Sequence, residues 1–245
     1  MQNSEFELQV LGSGAGASSV YDGLSSSSFM LLHNSIPFCL VDLGLGVGHQ
    51  VVKLYSGFPK NVIITHNHSD HAGDLPVVLR VELAQGNKMN IIAEKRVAKR
   101  LKQHRIAEHL QQMTADELAN WIEPDLKQRV EIEYGLSIEF YPGVHSELSY
   151  GFALFDEHNR MRLGYTADSQ FNQSLYETLS KADVFILDAR PKPNPWHACF
   201  NEIEDWLKPN VFILGHGLSD KQITENSLQN NAHLPLLATN QKIKF

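Results

Sequence analysis

Cysteine is scarce in this chain: Cys39 and Cys199 are its only two, and neither has a CxxC or mixed Cys/His spacing. That excludes a disulfide framework and a thiolate metal cluster, and it predicts two free thiols. Long apolar runs are also missing. None approaches the roughly 18 residues of a membrane-spanning helix, and the opening MQNSEFELQVLGSG has no basic, apolar and small-residue order of a signal peptide. A cytoplasmic location away from the membrane is the expectation. Positive charge is in deficit, with 21 Lys and Arg against 28 Asp and Glu and a net charge of −7. No global field draws a polyanion, so any phosphate binding must rest on local features. Ser13, Ser18 and Ser19 have no G-x-S-x-G context, which leaves a serine-nucleophile hydrolase without support.

What is present is ordinary for a folded domain. Apolar residues make up 42% and charged residues 20% of 245 positions, enough for one large α/β domain with a sizeable core. Strand signals fall at 6–11, 28–33, 37–41 and 61–65, then at 130–133, 136–141, 150–155 and 161–165, and again at 184–187 and 211–214. Helical spacing appears over 72–84, 93–112, 114–121, 170–181 and 200–207 and from 220 onward, with Thr114 and Glu117 as a capping box. Two β-rich halves, each followed by helices, predict two mixed sheets face to face with helices outside. The whole chain, 1–245, reads as a single domain with a helical insertion at about 93–125, placed as a lid or dimer surface. Gly12, Gly14 and Gly16 follow a strand, but they lack the G-x-G-x-x-G spacing and a following helix, so a tight turn is expected there and no dinucleotide site.

The chemistry concentrates in Thr65-His66-Asn67-His68-Ser69-Asp70-His71, an H-x-H-x-D-H cluster at a strand-to-helix junction. Histidines at i and i+2 on an extended segment project to one side, while Asp70 and His71 at the turn can face a second ion. Imidazole and carboxylate donors suit zinc, with manganese or iron as alternatives. Further downstream, Asp42, His145, Asp168 and His216 each lie at or just beyond a predicted strand end. Taken singly, such residues are more often turn, cap or surface groups.

The motif and its ordered downstream partners resemble the metallo-β-lactamase superfamily over nearly the whole chain. The likeness is greatest to the ribonuclease Z and related phosphodiesterase branch. Leu11-Gly12-Ser13-Gly14-Ala15-Gly16 with Ser25-Ser26-Ser27-Ser28-Phe29-Met30 is similar to that branch's first hairpin. His145-Ser146-Glu147-Leu148-Ser149-Tyr150-Gly151-Phe152 resembles another of its stretches, and Ala182-Asp183-Val184-Phe185-Ile186-Leu187-Asp188 stands where it carries a strand ending in an acidic residue.

The resemblance implies a four-layer αββα sandwich and a dinuclear metal-dependent hydrolase. His66, His68 and His145 would hold one divalent ion, Asp70, His71 and His216 the other, and Asp168 would bridge them. Asp42 would support the His loop without ligating. Asp70, His197 and Asp188 are the catalytic candidates, with Asp188 holding His197 as the acid that protonates the leaving group, and with a hydroxide shared by the two ions (Zn2+ expected, Mn2+ or Fe otherwise) as nucleophile. The implied partner is a small-molecule or nucleotide-type phosphodiester, with a homodimer as a further expectation. Nucleic acid fits less well. The chain has no long Gly/Pro-rich insertion to grip tRNA, its charge is acidic, and the basic run Lys95, Arg96, Lys99, Arg100, Lys102 and Arg105 is as readily a solvated helix face. Lactone or thioester hydrolysis on the same site, or a non-catalytic metal- or ligand-binding regulator, are the competing expectations.

Overall fold

A computed structural model describes residues 5–229 and 234–245. The chain opens with an antiparallel meander, β1 (Phe6–Gly12), β2 (Ser28–His33) and β3 (Ile36–Val41), in which helix α1 (Gly16–Tyr21) follows β1. That helix corrects the expectation that none follows the glycines. Helix α2 (Val47–Tyr55) leads to β4 (Asn61–Ile63), helices α3 (Ser69–Ala72) and α4 (Leu75–Ala84) to β5 (Asn90–Ile92), and α5 (Lys95–Arg100) and α6 (Ala115–Leu118) to β6 (Asn120–Ile122). Strands β3 to β6 are parallel neighbours, so each connection crosses over through helix.

The second half repeats the plan. Strands β7 (Val130–Glu131), β8 (Ser137–Pro142), β9 (Tyr150–Phe155) and β10 (Met161–Tyr165) form an antiparallel meander. Then α7 (Gln173–Leu179), β11 (Val184–Asp188), α8 (Phe200–Ile203), β12 (Val211–Leu214), α9 (Asp220–Gln229) and β13 (Lys242–Lys244) complete the order. β10, β11 and β12 are parallel, while β13 returns to the first sheet beside β1. The result is a 7-stranded and a 6-stranded sheet.

The two sheets pack face to face because both present inward apolar rows. Leu8, Val10, Phe29, Leu31 and Val41 meet Ile138, Phe140, Phe152, Tyr165 and Ile186 in one buried cluster, with Phe29 edge-on to Tyr165 at 5.3 Å. β11 is buried along its whole length: Val184 and Ile186 face that core, while Phe185 and Leu187 face a second one under α7 and α8 with Leu175, Tyr176 and Ile203. An all-apolar parallel strand covered on both sides is the expected solution for such a sequence. This is the predicted four-layer αββα arrangement.

The 93–125 segment differs in detail. Its first helix ends as α5, capped by Glu94 accepting from Arg96 N at 2.8 Å, and widens into a π turn at Leu101–Arg105. The capping box at Thr114 and Glu117 forms as expected, but the helix stops at Leu118 because Asn120, Trp121 and Ile122 pair with Asn90, Ile91 and Ile92. Tertiary pairing of β-prone residues overrides a short helical pattern, and the segment supplies a sheet strand as well as helix.

The topology also positions the functional residues. In open parallel sheets, loops at the carboxyl ends of strands converge on one crevice. Asp42 follows β3, His66 follows β4, His145 follows β8, Asp168 follows β10, Asp188 ends β11 and His216 follows β12.

Candidate metal centre

The H-x-H-x-D-H loop is pinned from behind by Asp42. Its carboxylate accepts from Thr65 N at 2.8 Å, from Thr65 Oγ1 at 2.9 Å and from His71 Nδ1 at 2.7 Å. Asp42 sits at φ 60 and Ala167, just before Asp168, at φ 53, left-handed conformations that side-chain-bearing residues adopt at a cost of about 1–3 kcal/mol and that cluster at functional sites. Gly44 lets the chain pass close behind: a Cβ there would fall 1.9 Å from the carbonyl oxygen of Asp70. Arg105, on the π turn, donates to the side-chain oxygen of Asn67 at 3.0 Å, to Ser69 Oγ at 3.3 Å and to Asn67 O.

Three ring nitrogens converge from this scaffold. His66 Nε2 lies 3.2 Å from His68 Nδ1, which lies 3.1 Å from His145 Nε2. Nitrogens bound to one tetrahedral ion at about 2.0–2.1 Å would stand about 3.3 Å apart, so the spacing fits a shared cation. The far ring atoms are held: His66 Nδ1 meets Thr65 Oγ1 at 3.0 Å and His145 Nδ1 donates to Trp196 O at 2.9 Å. Such outer partners fix tautomer and orientation.

A second donor group joins His66, His71 and Asp168, and a third joins His145, Asp168 and His197. His71 Nε2 faces Asp168 Oδ1 at 3.4 Å, and that oxygen is buried without a hydrogen-bond partner among the described residues. Burial opposes charging His71, yet Asp168 and Asp42 on its two sides lift it well above its ordinary range. For Asp168, the rise that burial would cause is overcome by His71 and Arg190, which hold the carboxyl well below its usual range. An ionised Asp168 oxygen with an open valence, beside the converging His66, His68 and His145 nitrogens, fits a divalent cation, which would take the place of the His71 Nε2 proton.

Asp188 and His197 meet as expected, with His197 Nδ1 2.6 Å from Asp188 Oδ2. Burial first, then the charge of Asp168, pushes Asp188 up to about 6. Asp70 and His216 join no donor group among the described residues. Asp70 accepts from Gly16 N at 3.1 Å, and His216 is held between Leu218 N at 3.0 Å and Leu237 O at 2.9 Å. Both nevertheless border, with Arg190, Lys192 and His197, an open cleft of about 550 Å3.

Arg190 joins the site without having been expected from the sequence. Its guanidinium reaches 3.6 Å from Asp168 and 3.4 Å from Asp188, yet an Arg two places past a strand-ending acid gives no sign of burial; only its place next to that acid could have flagged it. The basic run is largely consumed internally. Lys95 pairs with Asp125, Arg96 with Glu94, Arg100 with Glu147 and Lys102 with Glu123.

The chain matches the family described as Anti-Pycsar protein Apyc1 over residues 6–227. Ribonuclease Z of Lactobacillus helveticus is 36% identical over 83 residues, 33% of this chain and 27% of that protein, so the chain covers about a quarter of the length of the curated relatives it matches. Among solved structures, the metallo-β-lactamase fold protein YhfI from Bacillus subtilis aligns with a TM-score of 0.75 at 15% identity, covering 99% of this chain and 100% of that one. A diphosphatase of the PhnP family aligns with a TM-score of 0.70 at 20% identity, covering 98% and 97%. These likenesses establish the metallo-β-lactamase fold.

Proposed function

This chain belongs to the Anti-Pycsar protein Apyc1 family, and on that premise we propose that it is a metal-dependent phosphodiesterase with a dinuclear centre. The observation that carries the reading is the convergence of His66, His68 and His145 beside His71 and Asp168, next to His197, an acid-paired histidine that groups with His145 and Asp168 and lines the cleft. His66, His68 and His145 would hold one ion. His71 and Asp168 would hold the other, with Asp168 shared between the two and Asp70 on the cleft wall as a further donor; His216 would join them only by releasing Leu218 N from its Nδ1. Bound there, two divalent cations, zinc by donor chemistry, would supply an activated water and polarise a phosphoryl oxygen.

The chain's own groups supply the rest. Asp42 orients His71, and Thr65 orients His66. Asp188 accepts the Nδ1 proton of His197 and orients the ring, leaving Nε2 as the atom to deliver a proton to the departing alkoxide. Carboxylate partners for Lys95, Arg96, Arg100 and Lys102 lower the net positive charge that the basic run offers a long phosphate backbone, which favours a small or nucleotide-type phosphodiester over tRNA.

The test is a substrate-class screen on purified zinc- and manganese-loaded protein. Cleavage of an aryl phosphodiester, with no turnover of lactones or thioesters, is expected. The reverse pattern would replace the reading with carboxyl chemistry, and binding without turnover under either metal would replace it with a regulator.

A further inference from the structure

Arg190 has a largely buried guanidinium that lines the cleft. Its side chain is 13% exposed, and its backbone is fixed on both sides, Arg190 N donating to Ala198 O at 2.8 Å and Phe200 N to Arg190 O at 3.0 Å. Gly217, at φ +69, makes room for the head group: a Cβ there would fall 2.7 Å from Arg190 Nη1. Asp168 and Asp188 hold the guanidinium by charge at 3.6 and 3.4 Å, distances at or past the limit of a good hydrogen bond. Nε has no hydrogen-bond partner among the described residues. Nη2 stands 3.3 Å from His197 Nδ1, but the 2.6 Å contact with Asp188 claims the proton on that nitrogen, so Nδ1 has no lone pair to accept with. A planar fork is therefore oriented and neutralised with its Nε buried against Asp188, and its Nη1 end lies beside Gly217 on the wall of the cleft that Arg190 shares with Asp70 and His197.

We propose that Arg190 is the substrate-binding residue that grips the non-bridging phosphoryl oxygens, and so selects phosphoryl over carboxyl substrates. A guanidinium fork matches two oxygens on a tetrahedral anion. A lactone or thioester carbonyl presents one weakly charged oxygen, leaving the second arm of the fork idle. Lys192, on the same cleft wall, adds positive charge further out. This inference rests on the phosphodiesterase reading of the same cleft.

The test uses the intact zinc-loaded protein, with inorganic phosphate as the calorimetric probe, and compares wild type with Arg190→Ala and Arg190→Lys. Arg190→Ala is expected to bind phosphate roughly ten- to a hundredfold more weakly, as fits loss of a charge-assisted pair, at unchanged zinc content. Arg190→Lys should fall between, because it keeps the charge and loses the fork, and it carries the test if the alanine variant does not fold. Millimolar guanidinium should restore part of the lost phosphate affinity in Arg190→Ala. With an aryl phosphodiester the loss should appear mainly in KM. Unchanged phosphate affinity would overturn the proposal. So would affinity lost together with zinc, since Arg190 would then act only by holding Asp168. Wild type that binds phosphate through Arg190 but cleaves no phosphodiester would support this assignment while defeating the proposed function.

Discussion

The centre has two walls of different construction. On the wall from the first sheet, His66 and His71 each have one ring nitrogen fixed by Thr65 or Asp42 and the other turned inward, and Asp42, Thr65, His66 and His71 are all buried. On the wall from the second sheet, Asp168, Asp188, Arg190 and His197 crowd together with valences still open: Asp168 Oδ1, Asp188 Oδ1 and Arg190 Nε lack hydrogen-bond partners among the described residues. One wall is preorganised by rings whose outer nitrogens are held by Thr65 and Asp42, which suits a cation whose ligands must not move. The other balances buried charges against each other at a cleft, which suits a site that receives charge from outside. On the proposed reading, the H-x-H-x-D-H loop supplies most of the cation seat, His145 and Asp168 complete it from the second sheet, and Asp188, Arg190 and His197 form the substrate side.

Breaking the residue that both walls share should have the largest effect. Asp168→Ala is expected to lower metal content and to reduce phosphodiester turnover by about a thousandfold or more, since several kcal/mol of charge stabilisation go with the cations. Full occupancy on metal analysis would remove Asp168 from the ligand set. His197→Ala confines the damage to the substrate wall. Turnover should fall by about a hundred- to a thousandfold, as for loss of a positioned proton donor, at unchanged metal content; retained activity would strip His197 of its acid role, and lost metal would make it a ligand. Asp42→Asn confines the damage to the cation wall. The amide can still accept from Thr65 N but presents N–H groups to His71 Nδ1, so metal affinity should weaken roughly ten- to a hundredfold, with about 1–3 kcal/mol lost in denaturant unfolding. If Asp42→Asn slowed turnover at saturating metal as much as His197→Ala does, the division between the walls would fail.

The cation wall was largely legible in the sequence because its information is local. An apolar strand, a turn and the three histidines His66, His68 and His71 within six positions need only short-range geometry to turn toward one centre. His145, Asp168 and Asp188 were legible by their places at strand ends, where parallel sheets gather loops. The rest needed the tertiary fold. Arg190 reads in sequence as the start of a Pro-rich loop, and only the packing of Gly217 beside it turns it inward. Asp70 and His216 stand at the cleft, yet their polar atoms meet backbone partners that no spacing encodes. Helix α2 was hidden among glycines and β-branched residues. β5, β6 and β13 were hidden by their brevity: three residues each carry too little periodicity to distinguish strand from helix.

The most direct test of the metal centre is anomalous scattering from crystals of the zinc-loaded protein. The account predicts one peak among His66 Nε2, His68 Nδ1 and His145 Nε2, and a second beside His71 Nε2 and Asp168. Crystals of zinc-saturated protein with no peak at that convergence, or with zinc bound only elsewhere, would contradict it.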